Sequence, residues 1–337
     1  MLVLGIETSC DETGASVVEG GKKVLSSIVA SSLEFHKRYG GVVPEIAVRY
    51  HLEVINYAVK DSLKKAAVKL SDIDLMAVTY GPGLVGALLV GISFAKSLSY
   101  SSGIPLVGVN HLWAHIYSAF ADKTKIEFPF IGLVVSGGHT AIVFCEDDGR
   151  FKLLGQTKDD AVGEAFDKIA KVLELGYPGG PAIERAALKG DADLINFPAA
   201  VIDEDSYDFS FSGIKTAVLY YIRKNFAGSK RLSKSVRADI AAAFQRTAIE
   251  SIVIKSIGAC KSKKVKTLVV GGGVSANKFL RQALARAGEE NGTRVVFPSF
   301  EFSVDNGAMI AAMGYRLYKK GVKADLNLSA ESNLGIE

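Results

Sequence analysis

His111 and His115 stand one helical turn apart in the run Val109-Asn-His-Leu-Trp-Ala-His115. Positions i and i+4 of a helix share a face, so two neutral imidazoles at this spacing can chelate one transition-metal ion without bending the backbone. A metal needs more than two ligands, and a further donor stands far downstream, where Asp305 lies in Ser-Val-Asp-Asn-Gly just ahead of an apolar helical pattern. Taken alone, such a pair is equally well a coincidence on an exposed helix face. A zincin carries His-Glu-x-x-His, with the glutamate acting as general base on metal-bound water. Here Leu112 follows His111 and the segment holds no glutamate, which argues against a metallopeptidase.

A second kind of chemistry is written in glycine. Three glycine-rich turns follow apolar runs: Tyr80-Gly-Pro-Gly83, Val135-Ser-Gly-Gly138 and Val270-Gly-Gly-Gly273. Glycine lets backbone amides approach a phosphate, and a helix N-terminus behind the turn adds dipole attraction. Each turn alone could serve strand-to-helix geometry; together they point to a nucleotide. The chain has no G-x-x-x-x-G-K-[ST] and no G-x-G-x-x-G opening a Rossmann unit, which excludes a P-loop NTPase and a dinucleotide fold of that kind.

The elements that must position these groups alternate. Residues 2 to 19 read as strand, polar turn and strand, turning again at Gly20-Gly21, and residues 131 to 149 repeat that pattern around Ser136-Gly-Gly-His-Thr140. A repeated hairpin implies a duplicated domain. Further strands are expected at 75–79, 106–109 and 268–270, and helical periodicity marks 44–69, 84–101, 161–175, 236–260, 275–290 and 306–320. Ser71, Ser275 and Asp305 are expected near helix starts as capping residues. The fold class is α/β with mixed sheets.

The length of 337 residues and 48% hydrophobic content support a large core and about two domains. The longest apolar stretch, Leu84 to Ala95, is shorter than the roughly 20 residues a membrane helix needs, and the N-terminus reads as a strand without a targeting signal. Cytoplasmic residence is expected, in keeping with three scattered cysteines, Cys10, Cys145 and Cys260, lacking metal-type spacing. The net charge of +4 is clustered at Arg223, Lys224, Lys230, Arg231, Lys234 and Arg237, then Lys255, Lys261, Lys263, Lys264 and Lys266. Such clusters can hold nucleic-acid phosphates or form solvated helix faces.

The motifs Gly5-Ile-Glu-Thr-Ser-Cys-Asp-Glu-Thr13, Gly40-Gly-Val-Val-Pro-Glu45, Gly81-Pro-Gly-Leu-Val-Gly86, Val135-Ser-Gly-Gly-His-Thr140, Gly163-Glu-Ala-Phe-Asp-Lys168, Tyr177-Pro-Gly-Gly-Pro181, Phe209-Ser-Phe-Ser-Gly-Ile-Lys-Thr216 and Gly271-Gly-Gly-Val-Ser-Ala-Asn277 occur in order. Together they resemble the tRNA N6-adenosine threonylcarbamoyltransferase family in its bacterial form, once described as O-sialoglycoprotein endopeptidase. The resemblance implies an actin, Hsp70 and sugar kinase-like fold of two duplicated lobes. An N-terminal lobe of 1–115 plus about 320–337 and a C-terminal lobe of 116–319 would then flank an active-site cleft. It also implies transfer of the threonylcarbamoyl group of L-threonylcarbamoyl-AMP to N6 of adenosine 37 in tRNAs reading ANN codons, releasing AMP.

Carried over by position, His111, His115 and Asp305 match the family's metal ligands, for iron or zinc. Val134, Val135, Ser136, Gly137, Gly138, Asp167, Gly180 and Asn277 match its substrate contacts, and Glu184 lies where some members place another. The expected partners are tRNA, a shortened paralogue of the same fold pairing through the N-terminal lobe, and a small P-loop ATPase. Glu12 and its neighbour Asp11, His139 and Lys215 are accessory candidates with ordinary alternatives: turn residues, a backbone-bonded hairpin end and a helix-start lysine. Trp113 reads as core or interface packing. The bacterial pattern His-Met-Glu-Gly-His is replaced here by His-Leu-Trp-Ala-His, which leaves the ligands in place but changes what packs on that helix. A kinase or ATPase of the same fold is the rival reading; it would place Mg²⁺ on phosphate oxygens with an acidic base instead of two histidines.

Overall fold

The run Leu2-Val-Leu-Gly-Ile-Glu7 is nearly continuous in apolar residues, as a strand buried on both faces must be, and it forms the middle strand of a five-stranded sheet. The computed structural model describes residues 1–122, 125–199, 206–227 and 231–336. Strands β1 (Leu2–Glu7), β2 (Glu12–Glu19), β3 (Lys23–Ser31), β4 (Leu75–Gly81) and β5 (Leu106–Asn110) lie in the order β3-β2-β1-β4-β5. Strands β6 (Phe130–Val135), β7 (Thr140–Asp147), β8 (Arg150–Gln156), β9 (Thr267–Gly271) and β10 (Arg294–Val296) lie in the order β10-β9-β6-β7-β8. Read from β8, the second sheet repeats the first strand for strand, which bears out the duplication expected from the hairpins.

The helices are α1 (Leu33–His36), α2 (Pro44–Lys65), α3 (Val85–Ser102), α4 (His111–Tyr117), α5 (Val162–Val172), α6 (Gly179–Ala187), α7 (Ser212–Asn225), α8 (Lys234–Lys263), α9 (Lys278–Glu290), α10 (Phe300–Ser303) and α11 (Gly307–Lys319). All six periodic helices expected from the sequence are present. Their caps sit one or two residues away from the expected ones. Asn277 and Asn306 accept the amides of Leu280 and Met309, while Ser275 lies inside a 3-10 turn and Asp305 precedes the cap. Ser71 is also within a 3-10 turn, ahead of a strand. An amide side chain at the N-cap satisfies the orphan N–H groups and leaves the Asp305 carboxylate for other work.

The chain divides into one unit of Met1–Phe128, Cys145–Phe151 and Pro298–Glu337 and another of Pro129–Phe144 and Lys152–Phe297. The expected boundary needs correction here. Residues 298–319 fall in the first unit, because α11 packs directly on β1, β2 and β4, and residues 116–128 stay there because α4 and the turn after it pack on α11. Leu4, Ile6, Val17, Met76, Val78 and Leu88 centre the core of the first unit. Ile131, Leu133, Phe166, Phe211, Phe244 and Val270 do so in the second. Among the described residues no helix is long and apolar enough to cross a membrane.

The packing of α11 tolerates no side chain at its start. A Cβ at Gly307 would lie 2.5 Å from the Gly5 carbonyl oxygen and 2.6 Å from the Ser16 nitrogen, both backbone atoms of the sheet. Gly307→Ala should therefore destabilise the protein by about 3 kcal/mol, the upper range for overpacking. Urea unfolding midpoints at unchanged slope would measure it.

Candidate active site

Asn110, the last residue of β5, caps α4 by accepting the amides of Leu112 and Trp113 with its side-chain oxygen. The helix so started puts His111 and His115 on one face, both buried, with ring centroids 4.5 Å apart. Asp305, held between α10 and α11, meets them. Its Oδ1 lies 3.6 Å from His111 Nε2 and 3.2 Å from His115 Nε2. The three side chains expected as metal ligands thus converge, with donor atoms within 4.8 Å of one another.

Behind His111 stands a residue that sequence reasoning left among the motif letters. Glu7, fully buried at the end of β1, accepts hydrogen bonds from Thr79 Oγ1 at 2.5 Å, the Ser9 amide at 2.5 Å and His111 Nδ1 at 3.1 Å. An ionised carboxylate only accepts, so the shared proton sits on Nδ1, and Nε2 is the nitrogen turned to Asp305 and His115. Burial opposes charge on Glu7, yet His111 beside it and the bonds from His111 and Ser9 hold its carboxyl below the ordinary value of 4.5. Burial likewise opposes charge on His111, but Glu7 and Asp305 outweigh it and raise the ring from 6.5 to about 9. The signal available in sequence was a lone acid inside an apolar strand.

His115 has the opposite problem. Neither ring nitrogen has a hydrogen-bond partner among the described residues, although the side chain is buried; the 3.2 Å approach to Asp305 lacks hydrogen-bond geometry. A buried imidazole without partners costs free energy that a bound cation would recover. The surroundings are also acid-rich. Glu12, at the start of β2, is pushed from 4.5 to about 10 by burial and by the charges of Asp305 and Asp11. Two imidazoles and a carboxylate in a negative field, with one imidazole oriented by a second carboxylate, fit a zinc or ferrous ion.

The turn between β1 and β2 that carries Ser9 to Glu12 is itself pinned. His51 of α2 donates from Nε2 to the Cys10 carbonyl at 3.0 Å, and its Nδ1 accepts from Thr13 Oγ1 at 2.7 Å. Gly83, in the first glycine turn, packs on this loop: a Cβ there would lie 2.5 Å from the Ser9 carbonyl.

The other two glycine turns line an open cavity within the second unit. Gly137, Asp167, Gly180, Glu184 and Asn277 line it, and Phe166, Gly273 and Val274 are among its further walls. The turns are in backbone contact. At Gly272, φ is +95° and a Cβ would lie 2.4 Å from the Val135 carbonyl, so only glycine fits. Gly163 comes as close to Ser136. Three of the lining residues also start helices. Asp167 accepts from the Gly179 amide at 2.6 Å, Glu184 from the Lys278 amide at 2.8 Å, and Asn277 caps α9 while donating to Gln245. Val134 and Val135 are buried within β6, so any ligand they meet is met by backbone, and Ser136 and Gly138 lie in the turn beyond it. Such a cavity, edged by glycine amides and helix starts, can take an anionic nucleotide.

The accessory candidates are more constrained. The backbone of His139 closes the hairpin, its carbonyl accepting from the Ser136 amide at 2.8 Å. Lys215 pairs with Asp160 at 2.8 Å, which Lys168 also binds at 2.6 Å. In the basic clusters, Arg231 and Arg237 both meet Glu174, and Lys255 is buried with its Nζ donating to the Ser206 carbonyl. Lys230 lies outside the described residues. Lys261 in the last turn of α8, Lys264 at its C-cap and Lys266 just before β9 are exposed, ahead of the strand end away from the glycine turn.

A fold of two like-ordered mixed sheets with crossing helices belongs to the actin, Hsp70 and sugar kinase class. The activator of 2-hydroxyisocaproyl-CoA dehydratase from Clostridium difficile, solved with bound ADPNP, superposes with a TM-score of 0.53 over 96% of this chain and 99% of that one, at 15% identity. The sequence model of the tRNA N6-adenosine threonylcarbamoyltransferase family matches residues 23–312, and the chain belongs to that family. Relatives of that name from Clostridium perfringens are 48% identical over 99% of this chain and 97% of theirs. One from Thermosipho africanus is 48% identical over the full length of both.

The raised His111 value has a measurable consequence. The metal-free folded chain keeps that proton to about pH 9 while an unfolded chain releases it near 6.5, so folding takes up a proton in between. Stability of the chelator-treated protein should be fullest below about pH 6.5, as far as His111 contributes, and fall as pH climbs to about 9. Thermal midpoints across that range would show it, and His111→Gln should flatten the slope.

Proposed function

We propose that this chain transfers the threonylcarbamoyl group of L-threonylcarbamoyl-AMP to N6 of adenosine 37 in tRNAs reading ANN codons, with the adenylate in the glycine-lined cavity and a metal on His111, His115 and Asp305. The family it belongs to performs tRNA N6-adenosine threonylcarbamoyl transfer. In the reaction a bond forms between N6 and the carbamoyl carbon. The bond from that carbon to the phosphate oxygen breaks, AMP leaves with the electron pair, and N6 gives up a proton. A neutral aromatic amine is a weak nucleophile, so holding the mixed anhydride in place and stabilising charge on the leaving phosphate carry most of the rate.

The observation that carries the reading is the convergence of Gly137, Asp167, Gly180, Glu184 and Asn277, from four separate segments, on one cavity. The exposed turn at Gly137 and Gly138 offers amides that suit the phosphate and carbamoyl oxygens, while the carboxylates of Asp167 and Glu184 suit ribose hydroxyls. Zinc or ferrous iron held by His111, His115 and Asp305 would supply Lewis acidity. Glu7 holds His111 in the ligating tautomer, and Ser9 and Thr79 hold Glu7. Leu112 is buried and apolar, so α4 offers no general base beside its first ligand and the endopeptidase reading lacks its water-activating group. Against a kinase stands the ligand set itself, since Mg²⁺ takes oxygen donors.

The companions implied by the resemblance, a shortened paralogue pairing through the first unit and a small P-loop ATPase, belong to this proposal, as does residence in the cytoplasm. The test combines the purified chain, its companions, a source of the adenylate and substrate tRNA, with mass spectrometry of the tRNA nucleosides. His111→Ala and Asp305→Ala should each lower modification by more than about 100-fold, the scale of losing a positioned charge. Unchanged rates would sink the metal assignment. Elemental analysis of the active complex would distinguish iron from zinc. In the same preparations, Glu7→Gln should weaken metal binding by about 10- to 100-fold, as loss of a partner behind a ligating histidine does.

A further inference from the structure

Helix α4 has seven residues, too few to hold its shape alone in water. Its N-cap residue Asn110 and its Trp113 hold residues 335 and 336. Asn110 uses its oxygen as helix cap, and its Nδ2 donates to the Gly335 carbonyl at 2.7 Å. Trp113 is two residues from each histidine, about 200° around the helix from both. Its Nε1 donates to the Ile336 carbonyl at 2.7 Å while its ring stacks on Phe151 at 4.9 Å. The segment they hold reaches them along the ends of the sheet. Ala324 bonds to Leu106, Glu331 donates its amide to the Tyr80 carbonyl at 2.8 Å, and the Ser332 carbonyl accepts from Gly83. Gly81 has no room for a side chain there, since a Cβ would lie 2.1 Å from the Glu331 carbonyl oxygen. Residues 331–335 remain largely exposed, whereas Ile336 is buried.

We propose that residues 331–336 form a positioning clamp for the metal-binding helix. Asn110 and Trp113, by holding the carbonyls of Gly335 and Ile336, fix the rotation of α4 so that His111 and His115 present their ligating nitrogens toward Asp305 before any ion arrives. Preorganisation of this kind raises affinity by removing the cost of ordering the ligands. The clamp rests on the metal reading given above, and it assigns Trp113 a task beyond packing.

The chain carries a single tryptophan, so its fluorescence reports the clamp directly. The experiment compares the full metal-free chain with a deletion of 332–337, with Asn110→Asp and with Trp113→Phe. Each is titrated with zinc against a chromogenic chelator, with His111→Ala as the ligand-loss control. Asn110→Asp keeps the helix-capping oxygens but has no N–H for Gly335, and its added charge would by itself tighten a cation. Zinc affinity should fall about tenfold or more in all three clamp variants, by analogy with loss of other groups that orient ligands. In the deletion the tryptophan emission should move to longer wavelength as the indole N–H turns to water. If the deletion does not fold, the two substitutions decide by affinity. A full chain that binds zinc, beside clamp variants that bind it within twofold, would overturn the clamp and leave the metal site standing. A full chain that binds zinc no better than His111→Ala would overturn both.

Discussion

Backbone meets backbone where α11 crosses the first sheet. A Cβ at Gly5 would lie 2.0 Å from the Gly307 carbonyl oxygen, so strand and helix touch with no side chain between them. That contact sets the distance from the end of β1, where Glu7 stands, to Asp305, the residue before the α11 cap. Everything in the histidine site follows from it. A helix packed one side chain farther out would carry Asp305 away from the imidazoles, and its start would lose the capping geometry of Asn306.

The site is also a problem in charge placement. Glu7 and Asp305 press negative charge on His111, and Asp305 and Asp11 press it on Glu12, an imbalance of acid. In the metal-free chain the imbalance is met by a proton kept on His111 and another kept on Glu12. At Glu12 burial is the larger cause and the neighbouring acids add to it, whereas at His111 the acids act against burial. Glu7 is the exception because it has a full set of donors: Thr79, Ser9 and His111. The same carboxylate therefore selects the tautomer of its neighbour and remains charged while buried.

The second unit solves a different problem with the same strand order. Its cavity is edged by glycines because two turns and two helix starts must come within backbone distance of each other, as Gly163, Gly179 and Gly272 show. The polar side chains there do double duty. Asp167, Glu184 and Asn277 each hold a helix N-terminus while lining the cavity, so their positions are set by main-chain amides.

Much was legible in the chain because it depends on local pattern. The i, i+4 histidines, the six expected helices, the repeated hairpins and the ordered motifs are statements about neighbours in sequence, and the physics that makes helices and hairpins acts at that range. Strands β3, β8 and β10 and helices α6 and α7 were not legible: serine-rich or short edge strands carry weak alternation, and α6 begins in Gly-Gly-Pro, which reads as a turn. Glu7 stood only within a motif and not as a histidine's partner, and Trp113 as packing but not as a donor to Ile336. Those roles, like the membership of α11 in the first unit, join residues roughly 70 to 300 positions apart, and only tertiary packing decides which distant groups meet. The sequence by itself determined which side chains could bind a metal and which turns could hold a phosphate; the folded structure decided which of them are brought together, because close backbone contact and burial act across space and not along the chain.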